Sequence, residues 1–148
     1  MGEGPTVEIV SWEQAGKACL EVRCRVFVEE QGVPMEVEMD GLDPGCVHAL
    51  ARGPDGSPVG TGRLLPEGRI GRMAVLPAWR GRGVGREILS ALESEARRRG
   101  HGRVLLHAQV AARGFYEAAG YRAVGGVFQE AGIPHVAMEK RFGGSDSM

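Results

Sequence analysis

Arg80-Gly81-Arg82-Gly83-Val84-Gly85 stands where one hydrophobic period gives way to another. Before it, Arg69 to Leu76 reads as a strand. After it, Ile88, Leu89, Leu92 and Ala96 recur at helical spacing, Arg97-Arg98-Arg99 fills a last turn, and Gly100 stops the helix. Val104-Leu105-Leu106 is then a continuous apolar run, as expected of a strand buried on both faces. Strand 69–76, helix 84–99 and strand 103–109 make a right-handed βαβ crossover, so the chain is an α/β domain with a mixed sheet.

A glycine loop between a strand and a helix exposes backbone N–H groups at the helix N-terminus, where the dipole favours an anion. Without Cβ atoms a phosphate comes close, and Arg80, Arg82 and Arg86 add positive charge. The plain alternative is a tight turn that only joins two elements. A P-loop would need Gly-Lys-Ser/Thr, which is absent. A dinucleotide fingerprint would need G-x-G-x-x-G, whereas these glycines are spaced G-x-G-x-G.

Outward from this unit, Val7-Glu8-Ile9-Val10 reads as a strand. Ser11-Trp12-Glu13-Gln14 matches a capping box and opens a helix with Ala15, Cys19, Val22 and Val26 on one face, fading near Glu30. Residues 32–46 read as an irregular acidic loop carrying Glu36, Glu38, Asp40 and Asp43. Strands at 47–51 and 59–65 follow, turned by Gly53-Pro54-Asp55-Gly56. A short helix is expected at 113–119, strands at 121–128 and 135–140, and a frayed tail at 143–148.

With 148 residues, 43% of them hydrophobic, the chain has the size of one domain with a real core; residues 1–148 are read as that single domain. No run is long enough to span a membrane and no secretory signal is visible, so a cytoplasmic location is expected. Met1-Gly2 with Thr6 fits only the bare myristoylation pattern. Cys19, Cys24 and Cys46 form no CxxC pair and read as reduced thiols; the histidines at 48, 101, 107 and 135 lack metal-ligand spacing, so no metal is expected. The net charge of −1 conceals 11 acidic against 4 basic residues in 1–62, and 10 basic against 4 acidic in 63–103. That asymmetry suggests an anionic ligand for the middle and a cationic one for the N-terminal part.

Arg80-x-x-Gly83-x-Gly85 resembles the Q/R-x-x-G-x-G/A signature of the GNAT superfamily of N-acetyltransferases. Arg72-Met73-Ala74-Val75 before it and Phe115-Tyr116-Glu117-Ala118-Ala119-Gly120-Tyr121 after it are similar to that family's flanks. Arg25 to Pro34, Glu38-x-Asp40-x-x-Asp43, His48, Ala108-Gln109, Gly132-Ile133-Pro134-His135 and Met138 resemble a subgroup of small bacterial acyltransferases without assigned substrates. The likeness covers about residues 7–142 and departs at His107, where asparagine is common. It implies the α+β-type GNAT fold: a mixed, mostly antiparallel sheet, one parallel βαβ crossover, and helices on both faces.

The resemblance further implies acetyl-CoA as cosubstrate, with acetyl passing directly to a primary amine of a small molecule or peptide. The N–H groups of Gly81, Arg82, Gly83, Val84, Gly85 and Arg86, with Arg80, would hold the pyrophosphate. The backbone of Met73, Ala74 and Val75 would align the pantetheine arm like an added strand. The Val75 N–H would face the oxyanion and Tyr116 would protonate the leaving thiolate. Gln109 and Phe115 fall beside the cofactor; Phe27, Glu30 and Gln31 fall on the acceptor side.

Candidates for the base are Glu29, Glu30, His48, His107 and His135, with His135 favoured by the subgroup likeness. The acidic loop is expected either to meet a cationic amine or to be a solvated face. The competing reading is a non-catalytic acyl-CoA sensor or an RNA-associated module, although no aromatic-interleaved basic patch supports RNA. Neither nucleic acid nor membrane is expected as a partner. An exposed sheet edge makes a homodimer the expected assembly.

Overall fold

The computed structural model describes residues 4–143. The myristoylation pattern at Gly2 and the tail beyond residue 143 lie outside the described residues. The elements run β1 (Thr6–Ser11), α1 (Trp12–Arg23), a π-helical turn (Cys24–Glu30), α2 (Met35–Glu38), β2 (Val47–Arg52), β3 (Pro58–Leu64), β4 (Arg69–Val75), α3 (Val84–Arg98), β5 (Arg103–Gln109), α4 (Arg113–Ala118), β6 (Arg122–Glu130) and β7 (Ile133–Arg141). They form one seven-stranded sheet in the order β1-β2-β3-β4-β5-β7-β6. Among the described residues only β4 and β5 pair in parallel, as expected for the strands that flank the crossover helix α3.

Local chemistry explains the boundaries. Ser11 caps α1: its hydroxyl accepts from the Gln14 N–H at 3.0 Å, and the Gln14 side chain accepts from the Ser11 N–H at 2.9 Å. Along β2, side chains alternate between faces. Ala49 and Ala51 pack with Ile88, Leu89 and Leu92 of α3. Leu50 packs with Val10 and Cys19 beneath α1. Helices therefore cover both faces. Ile88, Leu89 and Leu92 are almost wholly buried, which contributes about 1.5–3 kcal/mol each. Glycines in β3 let α3 approach: a Cβ on Gly60 would lie 2.8 Å from Ile88 Cδ1.

Two irregularities shape the middle of the sheet. Thr61 pairs with Ala74 and Arg63 with Gly71, so Arg72 and Met73 together oppose Gly62 in a β-bulge. Arg72 takes the left-handed backbone there, at φ +50°. The parallel ladder of β4 and β5 holds Arg69 to Leu105 and Ile70 to Leu106 and then stops. Beyond it the two strands part toward their carboxyl ends.

The stretch from 24 to 46 departs from the sequence reading. The end of the first helix widens into a π-turn, with the Gln31 N–H donating to the Val26 carbonyl at 3.0 Å. The expected irregular loop contains α2 and a 3-10 turn over Asp43–Gly45. Glu38 and Asp43 are buried, while Met35, Val37, Met39 and Leu42 around them are exposed.

Candidate functional site

A groove of about 540 Å³ occupies the place where β4 and β5 part. Phe27 and Gln31 reach it from the π-turn, Met73 and Val75 from β4, Gln109 from β5, Tyr116 from α4 and His135 from β7, with Arg80 at the rim. Residues far apart in sequence thus meet in one cleft. Ala74 packs into a buried cluster with Val22 and Val26, so its side chain does not line the cleft.

Strand alternation orients the Val75 peptide. Leu76 donates its N–H to the Val59 carbonyl of the neighbouring chain segment at 2.9 Å. Successive N–H groups of a strand point to opposite sides, so the Val75 N–H faces away from β3 and into the opening. The Val75 carbonyl, on that same side, accepts from Arg80 Nε at 2.9 Å.

The glycine loop lies beyond the end of β4. Gly81 and Gly83 both take left-handed backbone, at φ +76° and +84°. Gly83 is the N-cap of α3 and places no side chain on the helix's first N–H groups. Those donors are unbonded within the helix, an arrangement that can receive an anion. A Cβ on either glycine would meet nothing within 4 Å, so the loop's outer surface is open. Phe115 covers Gly85, with its Cζ 3.4 Å from where a Cβ would stand. Arg82 lies over the Trp79 ring at 4.9 Å, and Val84 is buried in the core. An open strand side leading to an uncapped helix N-terminus fits the elongated, diphosphate-bearing form of an acyl-CoA.

The proton-handling candidates separate by environment. Burial pushes the Tyr116 phenol up to about 12, so it is a protonated donor at neutral pH. Its ring is held edge-on by Phe115 and Tyr121, with centroids 5.0 and 5.8 Å away. His135 Nδ1 lies 2.6 Å from the Ile133 carbonyl. A carbonyl only accepts, so Nδ1 carries the hydrogen, and in that tautomer Nε2 presents a lone pair. His107, also at the groove, lies with Nδ1 2.8 Å from a Glu130 carboxylate oxygen. His48 is elsewhere: it is buried, donates from Nε2 to the Asp43 carbonyl at 3.0 Å, and packs on Trp12. Burial pulls its pKa down, which marks a structural imidazole. The Glu30 carboxylate is gripped by Arg80 at 2.7 and 2.8 Å, which holds it below the usual range and makes it a poor base.

Much of the charge of the acidic loop is met by arginines. Arg23 donates to Glu38 at 2.8 Å and to Asp43 at 2.7 Å. Arg63 donates to Asp43 at 2.9 Å and also binds Asp40. Arg72, turned by the bulge, donates to the Glu38 carbonyl at 3.0 Å and to Asp40 at 3.2 Å. Three carboxylates, those of Glu38, Asp40 and Asp43, therefore meet three guanidiniums, so the charge of these three is offset within the fold's own contacts. Arg23, Arg63 and Arg72 are residues the sequence reading missed. The available signal was a run of acidic residues around a loop with too few basic neighbours in sequence.

The arginines at the end of α3 are likewise engaged. Arg98 and Arg99 both donate to Glu95, at 2.6 and 2.7 Å, and Arg97 lies over Phe142 at 5.0 Å. Among the described residues, no helix is long and apolar enough to cross a membrane, and no group of three or more His, Cys, Asp or Glu is arranged to hold a metal ion.

Comparison with known proteins agrees with this geometry. Residues 19–142 match the family model for the acetyltransferase (GNAT) domain. The chain is 41% identical to YjcF of Bacillus subtilis (strain 168), an uncharacterised N-acetyltransferase, over 86% of this chain and 94% of that protein. The crystal structure of an acyl-CoA N-acyltransferase from Pseudomonas aeruginosa superposes with a TM-score of 0.81 at 31% identity, covering 93% of this chain and 99% of that one. Escherichia coli ElaA superposes with a TM-score of 0.80 at 30% identity, over 93% and 99% of the two chains. Parted strands, an uncapped glycine loop and a matching family model over most of the chain lead to one assignment: this protein belongs to the GNAT acetyltransferase family.

Proposed function

We propose that the protein is an acetyl-CoA-dependent N-acetyltransferase that passes acetyl directly to a primary amine of a small molecule or peptide. The observation that carries this reading is that Val75, Tyr116 and His135 line one groove, together with Arg80, which stands three residues before the uncapped N-cap Gly83 of α3. In this reading the N–H groups of residues 81–86, with the charges of Arg82 and Arg86, hold the pyrophosphate. The open edge of β4 at Met73, Ala74 and Val75 aligns the pantetheine arm, and Gln109 and Phe115 flank it. The Val75 N–H stabilises the oxyanion where charge develops. His135 Nε2 takes the proton of the attacking ammonium, and Tyr116 gives one to the departing thiolate. Phe27, Glu30 and Gln31 belong to the acceptor-side wall, and no metal has a part.

Three free cysteines, two of them buried, suit a reducing compartment such as the cytoplasm. The outer strands β1 and β6 leave sheet edges through which a homodimer would form.

Thiol release from acetyl-CoA over a panel of amines and amino-terminal peptides tests the reading. Turnover with at least one primary amine is expected. Tight acetyl-CoA binding without turnover on any amine would instead make the protein an acyl-CoA sensor.

A further inference from the structure

Two adjacent residues at the end of the π-turn each grip one of the parted strands. Glu30 holds the Arg80 guanidinium with both carboxylate oxygens, at 2.7 and 2.8 Å, while the Nε of the same guanidinium holds the Val75 carbonyl at 2.9 Å at the end of β4. Gln31 exchanges side-chain amide hydrogen bonds with Gln109 at the end of β5, at 2.9 and 3.4 Å. All five residues except Glu30 line the groove. The Glu30–Arg80 contact joins residues 50 apart in sequence, and the Gln31–Gln109 contact joins residues 78 apart. No backbone ladder joins β4 to β5 at this level, since their pairing ends at Ile70 and Leu106.

We propose that Glu30 and Gln31 form a clasp across the carboxyl ends of β4 and β5, and that Glu30, acting through Arg80, is a positioning residue for the Val75 peptide. The reasoning is mechanical. A strand end without ladder partners on one side is free to rotate its peptides, and an oxyanion donor works only when held in place. Arg80 supplies a planar fork with three bonded nitrogens, of which one reaches the peptide and two are fixed by a single carboxylate. The side chains of Arg80 and Glu30 are 43% and 39% exposed. An ion pair that open to water adds little to global stability, so its effect falls on local geometry.

The kinetic arm of the test rests on the transferase reading above; the exchange arm does not. Glu30→Gln keeps the shape of the side chain and removes the paired charge. Arg80→Lys keeps the charge and removes the fork. Each is expected to lower kcat about 10-fold, with the melting temperature within about 2 °C of wild type. The double variant is expected to lose no more than either single one, because both break the same link. In the ligand-free protein, Glu30→Gln should speed amide exchange over residues 75–87 relative to wild type, and Gln31→Ala should speed it at the end of β5. Unchanged kcat in both single variants, or losses that multiply in the double variant, overturns the proposal. If wild type releases no thiol from acetyl-CoA with any amine, the transferase reading fails, and the exchange data alone then decide: unchanged exchange overturns the clasp, faster exchange supports it.

Discussion

Arg23 and Asp43 meet at 2.7 Å with both side chains almost wholly removed from water. They come from α1 and from the turn before β2, and Asp43 is shared with Arg63 at 2.9 Å. A carboxylate between two buried guanidiniums keeps charge balanced at the base of the groove. Asp43→Asn keeps the volume and removes the charge, leaving both guanidiniums short of a counter-charge. A loss of about 3–5 kcal/mol of stability is expected, read as a lower denaturation midpoint in urea. A change under about 1 kcal/mol would show that water reaches the cluster and screens it.

Acid should unfold the protein in stages. Burial holds the His48 pKa below its ordinary value, and the arginines hold Asp40 and Asp43 below theirs. In each case the unfolded chain binds protons more readily than the folded one, so stability falls as pH falls. The His48 contribution begins to be lost below about pH 6.5 and the aspartate contributions below about pH 4. Thermal unfolding between pH 8 and 3.5 should show a flat upper region and a two-part decline. A melting temperature that rises between pH 7 and 4 would contradict the assignment.

Tyr116→Phe removes a hydroxyl and keeps the ring against Phe115 and Tyr121. With the phenol pushed up to about 12, Tyr116 stays protonated through the physiological range. The variant should lose about 10-fold or more in kcat while its acetyl-CoA affinity stays near wild type. Wild-type kcat would assign the hydroxyl a packing role. Loss of cofactor binding together with turnover would point to a collapsed groove.

His135→Gln tests the base. The side chain keeps a hydrogen-bonding end near the Ile133 carbonyl but has no nitrogen that takes a proton. A fall in kcat of about 10²-fold, without loss of acetyl-CoA affinity, is expected for a positioned base. Retained kcat would shift proton removal to His107 or to water.

Gly83→Glu tests the anion site. The position has φ +84° and open space in front of it, so a side chain is strained but not blocked. Its carboxylate would stand where the loop offers N–H donors. Calorimetry should show acetyl-CoA binding lost, while Gly102→Ala, a glycine away from the groove, should bind as wild type. Unchanged affinity in Gly83→Glu would separate the loop from the phosphates.

What the sequence by itself determined was everything with a local cause. Ser11 and Gln14 are three residues apart and cap α1 as their spacing requires. Ile88, Leu89, Leu92 and Ala96 make a buried stripe because the period of a helix puts them on one side. The glycine loop was legible because glycine permits the left-handed backbone at Gly81 and Gly83, whatever packs around them. The tertiary structure alone decided which partners meet. Glu38, Asp40 and Asp43 read either as a partner for a cationic amine or as a solvated face because Arg23, Arg63 and Arg72 lie 15 to 34 residues away from the acids they bind. The bulge that turns Arg72 depends on the register between β3 and β4, which no local pattern states. The π-turn places Glu30 and Gln31 across the parted strands for the same reason. Spacing along the chain encodes period and turn chemistry, whereas the choice of counter-charge is made by burial, after distant elements have packed.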